Sequence, residues 1–144
     1  MPLTLLAKKG EDVSLAQLVS AVGEAVKGKN CGCIVSFTGI VRPRTQGGES
    51  VDHLEYEVYE EAVRRSLEGM AKALLMVQGI LDMAICHRYG SFLPGEEVLY
   101  VVIAAERSDA ALDTLKLAVT RVKHELPIWK KEFTPKGDYW VDLE

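Results

Sequence analysis

"LDMAICHRYGSFLPGEEVLYVVIAA", residues 81–105, contains two runs that settle what kind of protein this chain makes. "LDMAICHRYG" and "EVLYVVIAA" read as strands, and "LPGE" between them supplies the proline and glycine of a tight connection. The second run is apolar almost throughout, which marks a strand covered on both faces and lying centrally in its sheet.

On both sides of this pair the periodicity becomes helical. Upstream, Val63, Leu67, Met70, Ala71, Leu74 and Val77 recur at helical spacing over 60–78 until Gly79 stops the pattern. Downstream, Ser108 is placed to cap a third helix. Its stripe of Ala111, Leu112, Leu115, Val119, Val122 and Leu126 runs until Pro127 forces the chain out of helical geometry. Near the start of the chain, Ser14 and Gln17 form a capping box for Leu15, Leu18, Val19, Val22 and Val26, and "GKN" (28–30) ends that helix. "CGCIVSFTGIVR" (31–42) predicts a strand ending near Arg42, and "PRTQGGES" (43–50) predicts a surface loop. "VDHLEYEVY" (51–59) alternates Leu54, Tyr56 and Val58 against Glu55 and Glu57, as a half-buried strand does. After Pro127, "IWKKEF" (128–133), a "TPKGD" turn (134–138) and "YWVDL" (139–143) make a closing hairpin. The order β, α, β, β, α, β, β, α, β, β is that of one α+β domain over 1–144, with three helices packed on a mostly antiparallel sheet.

Composition narrows the chemistry. The chain has 144 residues, 48% of them hydrophobic and 26% charged, and a domain of this size buries about 70% of its unfolded surface. Its 21 acidic and 17 basic side chains give a formal charge of -4. That balance weighs against a nucleic-acid binder working by broad phosphate neutralisation. The apolar run in "MPLTLLAKKGEDV" is too short for a signal peptide and no run reaches the ~18 residues of a membrane span, so a cytoplasmic protein is expected. Cys31, Cys33 and Cys86 include no C-x-x-C pair. Cys31 and Cys33, two apart in a strand-like run, would point the same way, but zinc wants four ligands at spacings this chain does not offer. Small core residues are the expectation, with no metal or cofactor. His53, His87 and His124 are scattered over two strands and a helix end and read as ordinary hydrogen-bonded side chains. Phosphate-loop, dinucleotide and zincin signatures are absent from the sequence.

The basic residues draw more interest. If "IWKKEF" is extended, Ile128, Lys130 and Glu132 share one face while Trp129, Lys131 and Phe133 share the other. Trp129 and Phe133 mark the expected core side, which leaves Lys130 facing a cleft or solvent and Lys131 snorkelling at an edge. Lys123 stands at the tail of the third helix, and Pro127 turns the chain back so that the two ammonium groups meet. Each lysine also has a plainer explanation, in the helix macrodipole or in protection of a sheet edge. Arg42 at a strand end and Arg107 at a strand-to-helix junction are further candidates for an anion pocket. Such a pocket suits a small phosphate-bearing ligand.

Four stretches now speak together: "FTGIVR" (37–42), "LEYEVYEEA" (54–62), "RYGSFLPGEEVLYV" (88–101) and "LPIWKKEFTPKGDYWV" (126–141). In this order and spacing they resemble the large, catalytic subunit of molybdopterin synthase. The resemblance implies an α/β-hammerhead type of fold and a homodimer that carries a small ubiquitin-like subunit at each end, making a heterotetramer. It also implies a reaction in which cyclic pyranopterin monophosphate receives two sulfurs and becomes the dithiolene molybdopterin. The sulfur arrives as a thiocarboxylate on the C-terminal Gly-Gly tail of the small subunit. By the same resemblance Ile40, Val41 and Arg42 contact substrate, Lys123 takes direct part in the chemistry, and Lys130 with Lys131 and Glu132 forms a second contact patch. Glu106 and Arg107 stand where the family usually has His-Arg, so a carboxylate replaces the histidine. The competing reading is a non-catalytic dimeric α+β module that binds a phosphorylated metabolite or a partner's tail for regulation, with Glu106 as the sign of lost catalysis.

Overall fold

A computed structural model describes residues 2–141. The elements are β1 (Leu3–Lys8), α1 (Leu15–Ala25), β2 (Cys33–Ile40), β3 (His53–Val58), α2 (Glu60–Leu75), β4 (Ile80–Phe92), β5 (Glu97–Ala105), α3 (Ser108–Glu125), β6 (Ile128–Thr134) and β7 (Gly137–Val141). Their order is the expected one. The strands form a seven-stranded sheet in the order β2-β5-β4-β3-β6-β7, with β1 added along β4. Every pairing is antiparallel except β1 with β4, so the fold is α+β.

β5 lies between β2 and β4 and is buried over residues 98–105, as its apolar run requires. Alternation along β4 and β5 divides the interior in two. Met83, Ile85, Val101 and Ile103 pack toward α2 and α3, whose Val63, Leu67, Leu74 and Val122 are fully covered. Ala84, Cys86, Val102 and Ala104 face α1 through Leu18, Val22 and Val26. Fully burying each such Leu, Ile or Val contributes about 1.5–3 kcal/mol. α1 is held by the expected capping box, with the Ser14 side chain accepting from the Gln17 amide. β4 serves three partners: residues 80–87 run along β5, residues 84–89 along β1, and residues 90–92 along β3. The change falls at Gly90, whose φ of 117° an L side chain rarely adopts. Among the described residues no helix is long and apolar enough to cross a membrane.

Several expectations need correction. α2 ends at Leu75, so Val77 lies beyond it and is exposed. Arg107, not Ser108, occupies the N-cap of α3, and no side chain caps that helix. The buried stripe of α3 is Ala111, Thr114, Ala118 and Val122, while Leu112 is 56% exposed. Small side chains there let the helix lie close on the sheet, which periodicity of large apolar residues does not reveal. Cys31 precedes β2 and packs against the α1 core, whereas Cys33 packs against the opposite core. The two therefore do not point the same way, and both are half-buried. In the closing hairpin Pro135 and Lys136 make the turn, since Thr134 and Gly137 already pair; Asp142 and Leu143 lie outside the described residues.

The largest correction concerns β6. Ile128, Glu132 and Thr134 are buried, and Trp129 is 46% exposed. The inner face is thus that of Ile128, Lys130 and Glu132. The cause is β3: Tyr56 pairs with Lys130 and Val58 with Ile128, and directly paired residues project to the same side of a sheet. Trp129 instead meets Tyr59 edge-to-face on the outer side, with ring centroids 5.1 Å apart. Ile128→Ala is therefore expected to cost about 2–4 kcal/mol and Trp129→Ala about 1 kcal/mol or less. Urea denaturation of the two variants checks this, and the opposite ranking would return the core side to Trp129.

Candidate active site

Three distant parts of the chain end at one place. β2 loses register with β5 between Gly39 and Ile40, a bulge of the kind that re-aims a strand beside a site. Backbone bonds from Val41 N–H to the Glu96 carbonyl and from Gly95 N–H to the Val41 carbonyl, each 2.9 Å, then fix the exit from which Arg42 projects. α3 stops at Glu125 because Pro127 demands an extended residue before it, and Leu126 has ψ 142°. That leaves Lys123 in the last turn, where the macrodipole favours a cation. Its ammonium stands 5.7 Å from the centroid of the Phe37 ring, a cation–π distance. β6 brings Lys130 inward opposite Tyr56.

Arg42, Lys123 and Lys130 line one cleft of about 280 Å³ with Phe37, Tyr56 and His87, slightly below the usual volume of small-molecule sites. Gly39 also lines it, and a Cβ there would stand 3.2 Å from Leu99 Cβ and 3.4 Å from Phe37 Cε1. A second cavity of about 420 Å³ shares Lys123 and Lys130 with the first and extends to Trp129 and Trp140. The lysine pair is thus a wall between a more enclosed cleft and a groove rimmed by aromatic rings.

Beside these cations the site keeps two neutral groups. Burial, and then the nearby Glu132 carboxylate, push the Tyr56 phenol up to about 12. Burial lowers His87 to about 4, partly opposed by its bond to the Arg88 carbonyl. Nδ1 of His87 lies 2.7 Å from that carbonyl oxygen, which only accepts, so Nδ1 carries the proton and donates. The Tyr56 and His87 rings meet edge-to-face at 5.1 Å. Among the described residues no group of three or more His, Cys, Asp or Glu side chains is arranged to hold a metal.

Of the residues singled out in the sequence, Ile40, Arg42, Lys123 and Lys130 come together. Val41 is buried instead with Leu54, Phe92 and Val98. Lys131 lies on the outer face, its ammonium 5.3 and 5.2 Å from the Phe133 and Trp140 ring centroids. Glu132 is buried on the inner face and acts on Tyr56 through its charge. Glu106 and Arg107 do not reach the cleft within one protomer: they follow Ala105, which pairs with Cys33, whereas Ile40 pairs with Glu97. A strand's length of about 23 Å separates the two ends. Arg107 is exposed and 3.5 Å from the Asp109 carboxylate. Sequence reasoning overlooked Tyr56, His87 and Phe37 as site residues. His87 shares the inward parity of Met83 and Ile85 on β4, and that was the available signal.

Comparisons with known proteins agree on one family. The family described as "MoaE protein" matches residues 10–125. A molybdopterin synthase catalytic subunit from Pyrococcus abyssi is 32% identical over 137 residues, covering 95% of this chain and 89% of that protein. The solved structure of a molybdopterin biosynthesis MoaE protein from Burkholderia ambifaria superposes with a TM-score of 0.76 at 29% identity, over 99% of this chain and 90% of that one. A chain in the complex of subunits 1 and 2 of molybdopterin-converting factor from Helicobacter pylori shares the fold, with a TM-score of 0.73 at 21% identity, over 96% of this chain and 89% of that one.

The depressed His87 value carries a sign for stability. The unfolded chain takes up the imidazole proton near 6.5 and the folded chain only near 4, so stability is undiminished above pH 6.5 and falls as pH drops from there toward 4. The loss attributable to this group is on the order of 3 kcal/mol. Urea denaturation between pH 7.5 and 4.5 is expected to show that slope, and His87→Gln is expected to flatten it; an unchanged slope in the variant would show that the imidazole titrates alike in both states.

Proposed function

The chain belongs to the MoaE protein family, and from that premise we propose that it is the catalytic subunit of a molybdopterin synthase. In this reading it transfers sulfur from the thiocarboxylated C-terminus of a small ubiquitin-like subunit to cyclic pyranopterin monophosphate, forming the dithiolene of molybdopterin. One observation carries the reading. In a chain of net charge -4, Arg42, Lys123 and Lys130, far apart in sequence, converge on a single cleft.

The chemistry asks for such a cleft. Opening a cyclic phosphate and replacing oxygen with sulfur both build negative charge, and fixed cations in a partly dry pocket stabilise that charge better than water does. Arg42 is suited to a bidentate grip on phosphate oxygens. Lys123, held against Phe37 between the two cavities, is assigned the position nearest the reacting atoms, with Lys130 beside it. The sulfur is brought in by the partner. No cysteine is among the described residues lining the cleft, and burial pushes the Cys86 thiol up to about 11, which keeps it unreactive. The groove outside the lysine wall gives an extended glycine tail, which has no side chains to accommodate, a path toward Lys123 and Lys130.

The assembly in this reading is a homodimer of this chain within a heterotetramer, acting in the cytoplasm. The Helicobacter pylori two-subunit complex supports the small-subunit partner. Glu106 and Arg107, remote from the cleft of their own protomer, contribute to substrate binding only across the dimer. Within its own protomer Glu106 is too far from the cleft to repel an anion bound there. The shared sheet joining β1 to β7 supports treating the chain as one domain.

Lys123→Ala is expected to lower product formation about 100-fold or more, measured with a thiocarboxylated small subunit and cyclic pyranopterin monophosphate, while circular dichroism and melting temperature stay near wild type. Full sulfur transfer by a folded Lys123→Ala protein would contradict the assigned role.

A further inference from the structure

Three cations account for the anionic end of a ligand, yet two neutral polar groups also face the cleft and have no task. His87 is 4% exposed. Because Nδ1 donates to the Arg88 carbonyl, Nε2 presents a lone pair, and among the described residues it has no hydrogen-bond partner. It is also not among the side-chain atoms sealed from solvent without a partner, so it opens onto the cleft that His87 lines. The Tyr56 hydroxyl is likewise without a partner among the described residues. Its ring stands at 82° to the imidazole, and its backbone pairs with Lys130 on one side and Gly90 on the other. Polar groups held in so covered a place cost stability unless a ligand or water satisfies them.

We propose that Tyr56 and His87 form a neutral recognition edge, an O–H donor beside an N acceptor, that reads an adjacent carbonyl and N–H on the ligand's uncharged heterocycle while the three cations hold its phosphate. The lactam edge of a pterin offers that pair. With the phenol near 12 and the imidazole near 4, neither group ionises at neutral pH, so the donor and acceptor roles stay fixed. A site built this way discriminates strongly, because a ligand lacking either group leaves a buried polar atom unpaired. The division of labour is spatial as well. Arg42 and Ile40 come from the exit of β2, Lys123 from α3 and Lys130 from β6, while His87 and Tyr56 come from β4 and β3.

The inference rests on the phosphorylated pterin assigned above, and calorimetric titration of the purified full chain separates the two ideas. The titrants are cyclic pyranopterin monophosphate and inorganic phosphate; the proteins are wild type, Tyr56→Phe, His87→Phe and Lys123→Ala. Tyr56→Phe and His87→Phe are expected to weaken pterin binding about 10-fold each while leaving phosphate affinity within about twofold. Lys123→Ala is expected to weaken both ligands. Tyr56→Phe keeps the ring and removes one hydroxyl, so it remains decisive if His87→Phe fails to fold. Wild-type pterin affinity in Tyr56→Phe, or a parallel loss of phosphate affinity, would overturn the recognition edge. A wild-type protein that binds phosphate but not the pterin would instead overturn the substrate assignment, and the inference with it.

Discussion

The pairing of β3 with β6, Tyr56 opposite Lys130 and Val58 opposite Ile128, decides which of two adjacent lysines faces the interior. Strand geometry offers only two outcomes, because a slip of one residue exchanges every side chain between faces. With Ile128 and Glu132 inward, Lys130 joins Lys123 and Arg42 around the cleft, and Lys131 is left on the outside over Phe133 and Trp140. In the other register Lys131 would enter and the glutamate beneath Tyr56 would leave. That one pairing thus sets which lysine and which carboxylate stand beside Tyr56.

Gathering like charges is unfavourable unless the surroundings oppose it, and Lys123 has local reasons to stay. The end of α3 favours Lys123 by about 0.3–1 kcal/mol, and the Phe37 ring adds attraction to its ammonium. Glu132 contributes a buried negative charge on the inner face of β6. The same carboxylate, together with burial, keeps Tyr56 protonated. A ligand that carries phosphate at one end and neutral amide-like edges at the other answers both halves of this environment.

Much of the architecture was legible because its signals are local. The capping box at Ser14, the proline after α3, the "LPGE" turn and the apolar run of β5 each act through neighbouring residues, and each is found where expected. The misreadings arose where the deciding partner is far along the chain. Trp129 looks like a core residue by composition, and only the inward set of β3 shows that its face is outer. Cys31 shares parity with Cys33, but it lies before the strand begins, so parity does not govern it. At the site, Arg42 and Lys123 were legible as strand-end and helix-end cations, and Lys130 through the alternation along β6. His87 was not, because burial and the bond that fixes its tautomer are tertiary facts. Glu106 and Arg107 could be placed at the far end of β2 only once its register with β5 was known.

The central claim is that one cleft of this chain takes a phosphate among Arg42, Lys123 and Lys130 with a neutral ring against Tyr56 and His87. A crystal structure of the protein soaked with cyclic pyranopterin monophosphate tests it most directly. The account predicts phosphate density within hydrogen-bond distance of the guanidinium and both ammonium groups, and the ring edge toward Tyr56 and His87. Phosphate density elsewhere on the surface, with this cleft holding only water, would contradict it.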